Sequence, residues 1–271
     1  MKVGIVGVGA VGAAATMALL ARGCAHEVML VDRNTRRAEG VAQDMTYGLP
    51  LLPPVDLRAG TAADLTGARL LIVTAGTNEA VGGAIDRSDP HGRLRLLAHN
   101  ADVYRSLIPE LVDAAPDATI MVVTGPPEPL ADLSRRLASH DRVFSTGTVL
   151  DSLRFRVHLA RLLQVRPEDV QALVVGEHGT SEVLLWSTAS VGGIPVLDIV
   201  ARRGDALGPF RERVEAGIRH ANISIIEGIG ASQYGIGAVV ARLAQAVLRD
   251  EKVLFTVGAY DPDRRVTLSR L

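Results

Sequence analysis

Between residues 2 and 147 the sequence alternates short apolar runs with longer stretches of helical character, and that alternation constrains the fold more than any other feature. Residues 3–6, 27–31, 70–74 and 119–123, together with "RVFSTG", read as strands. Residues 13–22, 36–45, 93–111 and 130–138 read as the helices between them. An apolar run bounded by glycine fits a strand covered on both faces, because neither side has to meet water. Strands separated by helices then predict an α/β fold, a parallel sheet with helices on both faces.

The pattern changes after residue 147. A helix over 151–163 precedes two strand-like segments, "VQALVVGEHG" and "SEVLLWSTASVGG". A long helical stretch over 210–249 is broken by glycines at 228, 230, 235 and 237, and "KVLFTVGAY" reads as a strand. The expected organisation is a domain over 1–147 and a second, α+β domain over 148–271. No proline- or serine-rich linker separates them, so the halves are expected to pack closely.

Composition narrows the function classes. With 48% hydrophobic and 22% charged residues the chain has the balance of an ordinary soluble protein. A formal charge of −1 gives no global electrostatic footprint for nucleic acid or an acidic membrane. The basic runs at 33–37 and 202–203 read as solvated helix ends. Cys24 is the only cysteine, which leaves neither an intrachain disulfide nor a cysteine-rich zinc site, and no metal is expected. The most apolar stretch, 3–20, contains four glycines and a threonine, short of the ~18 uninterrupted apolar residues of a membrane span. The expected compartment is the cytoplasm.

The same stretch can be read as an export signal, but its spacing argues for a working part of the fold. Gly7, Gly9 and Gly12 spell G-x-G-x-x-G after a strand and at the opening of a helix, and a second strand ends in Asp32, 20 residues after Gly12. Each part has a mechanical task in a Rossmann dinucleotide-binding unit. Gly7 permits the tight turn, Gly9 admits a pyrophosphate to the backbone, and Gly12 lets the helix approach the strand. The amides at the helix start face the phosphate charge. Asp32 is placed to accept the adenosine ribose hydroxyls, and its charge disfavours a 2′-phosphate. NAD is therefore preferred over NADP, although Arg33, Arg36 and Arg37 stand close by.

A dinucleotide fold names no reaction. In the second half, "GTVLDSLRFR" and "GEHGTSEVLLWS" stand out. Asp151 and Arg154 are three apart on a predicted helix and share a face. His178 sits in a glycine-flanked turn after an apolar run. Singly, these read as a helix cap, a surface charge and a loop histidine. Together they supply a carboxylate to orient an imidazole, an imidazole to exchange a proton, and a guanidinium to fork onto a carboxylate.

The pairing of "GTVLDSLR" with "GEHG", along with "GVGAVG", "EGVAQDM", "VTAG", "GRLRLLAHN" and "ASQYGIG", resembles the NAD-dependent L-lactate/L-malate dehydrogenase family. The resemblance runs from Lys2 to about Thr267. It implies hydride transfer between NAD and a small 2-hydroxy or 2-keto acid. His178 is then the acid/base, Asp151 its partner, Arg154 the substrate-carboxylate ligand, and Arg93 the group that polarises the reacting oxygen. Ser232 falls at a substrate-pocket position. The implied cofactor residues are Gly7, Gly9, Val11, Gly12, Asp32, Thr74, Ala75, Gly76 and Asn100. A homodimer or homotetramer is implied as well.

The chain departs from that pattern in four places. Gly125 replaces an asparagine that helps hold the substrate oxygen. The loop over 76–93 is enlarged, so the specificity position falls on Glu79 by counting from "AG", or on Arg87 or His91 if the insertion reaches the pocket. An acid there disfavours a dicarboxylate, whereas Arg87 favours one. Thr180 replaces an aspartate. The C-terminal end, "RRVTLSRL", is shortened relative to a family that continues through another strand and a long helix. Two other readings stand beside the dehydrogenase: a non-catalytic NAD-binding protein on this fold, and a related oxidoreductase for a larger or imino substrate.

Overall fold

The computed structural model describes residues 1–77, 82 and 94–270. Glu79, Arg87, His91 and Arg93 lie outside the described residues. In the first half β1 (Lys2–Val6), α1 (Ala10–Arg22), β2 (Glu27–Val31), α2 (Thr35–Thr46), β3 (Asp56–Gly60), β4 (Ala68–Val73), α3 (Leu94–Ala114), β5 (Thr119–Val122), α4 (Pro127–Ala138) and β6 (Val143–Ser145) follow in order. The expected strands and helices are present with ends shifted by a few residues. One strand, β3, was not expected. Its sequence, DLRAG, buries only Leu57, so it carries no apolar run to read.

The second half begins with α5 (Val149–Leu163) and continues through the two-residue strands β7 (Val170–Gln171), β8 (Val174–Val175), β9 (Val183–Leu184), β10 (Ser190–Val191) and β11 (Ile194–Pro195). Helices α6 (Val196–Arg202), α7 (Leu207–Arg219), α8 (Ala221–Ile229) and α9 (Tyr234–Leu248) follow. The chain then returns through β12 (Val257–Asp261) and β13 (Val266–Arg270). The long helical stretch breaks at His220 and again between Gly230 and Gln233, whereas Gly228, Gly235 and Gly237 lie within helices. The strand expected in "KVLFTVGAY" starts only at Val257.

The main sheet has eight strands in the order β13-β12-β6-β5-β4-β1-β2-β3. Strands β1 to β6 run parallel. β12 joins β6 antiparallel through Gly258 and Ser145, and β13 pairs antiparallel with β12. β1 lies between β4 and β2, so the chain reverses its direction of winding there. The crevice beyond the carboxyl ends of such strands is where an open α/β sheet binds ligands.

Two apolar clusters cover the sheet. One joins Ile5, Leu19, Leu30, Leu70 and Ile72 to Val240 and Leu243 of α9, and the other joins Leu71 and Val73 to Tyr104, Ile108 and Leu111 of α3. Helix α9 of the second half therefore covers the first half's sheet. Its approach to α1 is close enough that a Cβ at Gly237 would fall 2.8 Å from the Ala14 carbonyl carbon. A third cluster, within the second half, centres on Phe155, Trp186 and Phe210, with Phe155 and Trp186 edge to face at 4.9 Å. No single helix among the described residues is long and apolar enough to cross a membrane.

Candidate active site

The glycine-rich turn closes as its spacing requires. Gly7 has φ +94°, and a Cβ there would sit 2.5 Å from the Ala75 nitrogen, so the turn tolerates no side chain. A Cβ at Gly12 would lie 2.0 Å from the Gly7 oxygen, which is the close helix–strand approach that residue permits. At Gly9 a Cβ would meet no described residue within 4 Å, so the backbone there is open among the described residues. Gly9 also caps α1 without any side-chain bond, and the first-turn amides remain available to an anion. Thr74 donates its hydroxyl to the Gly7 oxygen at 2.6 Å and ties β4 to this turn.

These residues open onto a cleft lined by Gly7, Gly9, Asp32, Thr74, Ala75 and Gly76. Asp32 accepts the Val8 amide at 2.7 Å on Oδ2 and the Asn34 amide at 2.8 Å on Oδ1. Each carboxylate oxygen has a further lone pair for a ribose hydroxyl. Arg37 stands 3.9 Å from Asp32. An open glycine backbone at a helix start, with a fixed acid on the next strand, fits a dinucleotide such as NAD.

Deeper in the crevice the three polar residues singled out in the second half come together. Asp151 lies in the first turn of α5 and is 1% exposed. Its Oδ2 is 2.5 Å from His178 Nδ1, and its Oδ1 accepts from Arg154 Nη1 at 2.9 Å. One buried carboxylate thus holds the imidazole and the guanidinium at once. Arg154 donates in addition through Nη2 to Asn222 Oδ1 on α8 at 2.5 Å.

The local sequence fixes both ends of this cluster. At the start of α5, Thr148 donates to the Val174 carbonyl at 2.5 Å, and Ser152 accepts the Val174 amide at 2.9 Å, so the helix is pinned to β8. The turn carrying His178 is pinned from the other side. Gly176 and Ser269 of β13 exchange backbone hydrogen bonds of 2.9 and 2.6 Å. The Ser269 hydroxyl donates at 2.8 Å to Glu128 of α4, and the second Glu128 oxygen accepts the His178 amide at 3.3 Å. Burial raises the Glu128 carboxyl above the usual carboxylate range, opposed first by the nearby His178.

Three residues of this centre were not expected from the sequence: Glu128, Glu182 and Asn222. Glu182 is 3% exposed, and its Oε1 has no hydrogen-bond partner among the described residues. Its pKa is pushed up to about 7, first by burial and then by the charge of Asp151. Ligand-type atoms of Asp151, His178 and Glu182 lie within 4.8 Å of one another, with Arg154 supplying the nearby positive charge. A single acid or amide set in an apolar segment, as in "SEVLLW" and "ANISII", was the available signal for Glu182 and Asn222.

Val11, Thr74, Gly76, Gly125, His178, Asn222 and Ser232 line one cavity, adjoining the dinucleotide cleft through Thr74 and Gly76. Asn100 is fully buried beside it instead. It accepts the Thr77 amide at 2.7 Å and donates to the Gly125 carbonyl at 2.8 Å, joining the loops that follow β4 and β5. A Cβ at Gly125 would meet no described residue within 4 Å. The carbonyl of Thr180 accepts from Arg219 at 3.1 Å.

Two family models match the chain. The lactate/malate dehydrogenase NAD-binding domain matches residues 1–144, and the lactate/malate dehydrogenase alpha/beta C-terminal domain matches residues 148–270. An L-lactate dehydrogenase of Thermus aquaticus is 45% identical over 97% of this chain and 83% of its own length. An L-lactate dehydrogenase of Deinococcus radiodurans is 42% identical over 99% of this chain and 86% of its own. Among solved structures, the minor L-lactate dehydrogenase of Enterococcus mundtii in a ligand-bound form superposes with a TM-score of 0.90 at 32% identity, covering 100% of this chain and 85% of that one.

Proposed function

Because the chain belongs to the lactate/malate dehydrogenase family, we propose that it interconverts L-lactate and pyruvate with NAD, using His178, Asp151 and Arg154 as the centre of its active site. Membership carries the reaction class, NAD-dependent oxidoreduction of a 2-hydroxy acid. The observation that carries the site is the shared carboxylate: Asp151 gives one oxygen to His178 and the other to Arg154.

In the direction of lactate oxidation, Nδ1 of His178 faces Asp151, and Nε2 is the nitrogen assigned to accept the substrate hydroxyl proton. The buried Asp151 charge then stabilises the imidazolium. Arg154 has five N–H donors and gives two of them to Asp151 and Asn222. Others serve to grip the substrate carboxylate, for which a fork of parallel donors is suited. Bound NAD supplies the partner for the hydride. In this reading Arg93 polarises the reacting oxygen and Ser232 contacts the substrate. Gly125 contributes no donor to that oxygen, a loss that costs on the order of 10²–10³ in rate where nothing replaces it.

Pyruvate is preferred over oxaloacetate in this reading because the relatives named above are L-lactate dehydrogenases. A homodimer or homotetramer is part of the same proposal, supported by large apolar side chains left exposed on α5 and α8, among them Leu153 and Ile229. The direct test is steady-state reduction of pyruvate, oxaloacetate, 2-ketoisocaproate and phenylpyruvate with NADH and with NADPH. The expected outcome is the highest kcat/KM with pyruvate and NADH. A preference for oxaloacetate assigns the enzyme to the malate side, and no turnover on any acid contradicts the proposal.

A further inference from the structure

We propose that Asn222 is a substrate-positioning and specificity-determining residue, holding the Arg154 guanidinium in its carboxylate-gripping orientation and closing the cavity around a small substrate. The inference rests on the function proposed above. Asn222 stands in the first turn of α8, is 6% exposed, and lines the same cavity as His178 and Ser232. It contributes the one side-chain carboxamide among the described lining residues. Gly125, another lining residue, offers no side chain.

The chemistry of the pair suits this task. Arg154 is held at two corners, by Asp151 on Nη1 and by Asn222 on Nη2. Two fixed corners set both the plane of the guanidinium and its rotation within that plane. A loosely held arginine would have to lose that freedom when substrate binds. Asp151 already gives one oxygen to His178 and the other to Arg154. A second acid at the other corner would neutralise the guanidinium and compete with the substrate carboxylate. An amide oxygen orients the group and leaves its charge for the ligand. The side chain at 222 lines the same cavity as Ser232, so it takes up room that a larger substituent on the keto carbon would need.

Asn222→Ala and Asn222→Asp separate these roles from mere structural support, with KM and kcat for pyruvate, the Kd for NADH and the melting temperature measured for each. In Asn222→Ala the KM for pyruvate is expected to rise about tenfold, the loss that follows from removing one hydrogen bond to a charged group. Its kcat and NADH affinity stay close to wild type, and 2-ketobutyrate gains relative to pyruvate in kcat/KM. In Asn222→Asp, nearly identical in shape, the KM rises further because the new carboxylate occupies Arg154. A structural role would lower the melting temperature and kcat without this split. If wild type turns over pyruvate and Asn222→Asp keeps its KM, the inference is overturned. If wild type reduces no 2-keto acid, the functional reading itself fails, and the wild-type measurement alone shows which has happened.

Discussion

Glu182 carries the clearest pH signature at the scale of single residues. Its carboxyl titrates at about 7 in the folded chain, against a reference value of 4.5. Between those values the folded protein binds a proton that the unfolded chain has released. Its contribution to stability is therefore complete below the reference value and is lost as pH rises toward 7. Replacing the group by an uncharged isostere should remove that loss. Melting temperatures of wild type and Glu182→Gln should converge near pH 4.5 and separate toward pH 7.5, with the variant the more stable. A difference that does not change with pH would contradict this assignment. The sequence made half of the centre readable at this scale. Asp151 and Arg154 were legible because helical spacing puts them on one face, and His178 because glycines bracket it. Glu128 and Asn222 were not, because each contacts the centre from an element distant in sequence; Glu182, four residues after His178, was not, because no local period marks a buried acid in "SEVLLW".

Among the elements, the last strand has a task that its place in the chain does not suggest. β13 pairs with β12 at the edge of the sheet, yet Ser269 reaches from it to Glu128, and Glu128 reaches the His178 amide. Ser269→Ala removes the partner of a buried carboxylate oxygen, at a cost of about 1–3 kcal/mol. A lower melting temperature is expected, with a kcat on pyruvate reduced more than the affinity for NADH. An unchanged kcat would show that the turn at His178 does not depend on this contact. The alternation of the first half was legible because each strand but β3 is a buried apolar run. The short strands β7 to β10 were blurred into two long strand-like segments, since two-residue pairings leave no period to count, and β11 lies beyond them. Helix α6, only seven residues long, escaped for the same reason.

For the whole molecule, the two halves are joined by shared surfaces rather than by a linker. α9 packs on α1 over one face of the sheet, and β12 and β13 extend the sheet itself. The candidate active-site cluster draws on several elements, with Asp151 and Arg154 on α5, Asn222 on α8, and the turn of His178 tied to both α4 and β13. In the reading proposed above, a centre assembled from both halves takes NAD on one side and the substrate carboxylate on the other. These two functions are therefore expected to be separable by mutation, since Gly7, Gly9 and Asp32 line a different cleft from His178. The most direct test is single-turnover and steady-state reduction of pyruvate by His178→Ala, with NADH binding measured in parallel. Loss of a general acid/base predicts a kcat lower by about 10²–10⁴, with NADH affinity unchanged. Turnover within a few-fold of wild type would contradict the assignment of His178 and the active site built around it.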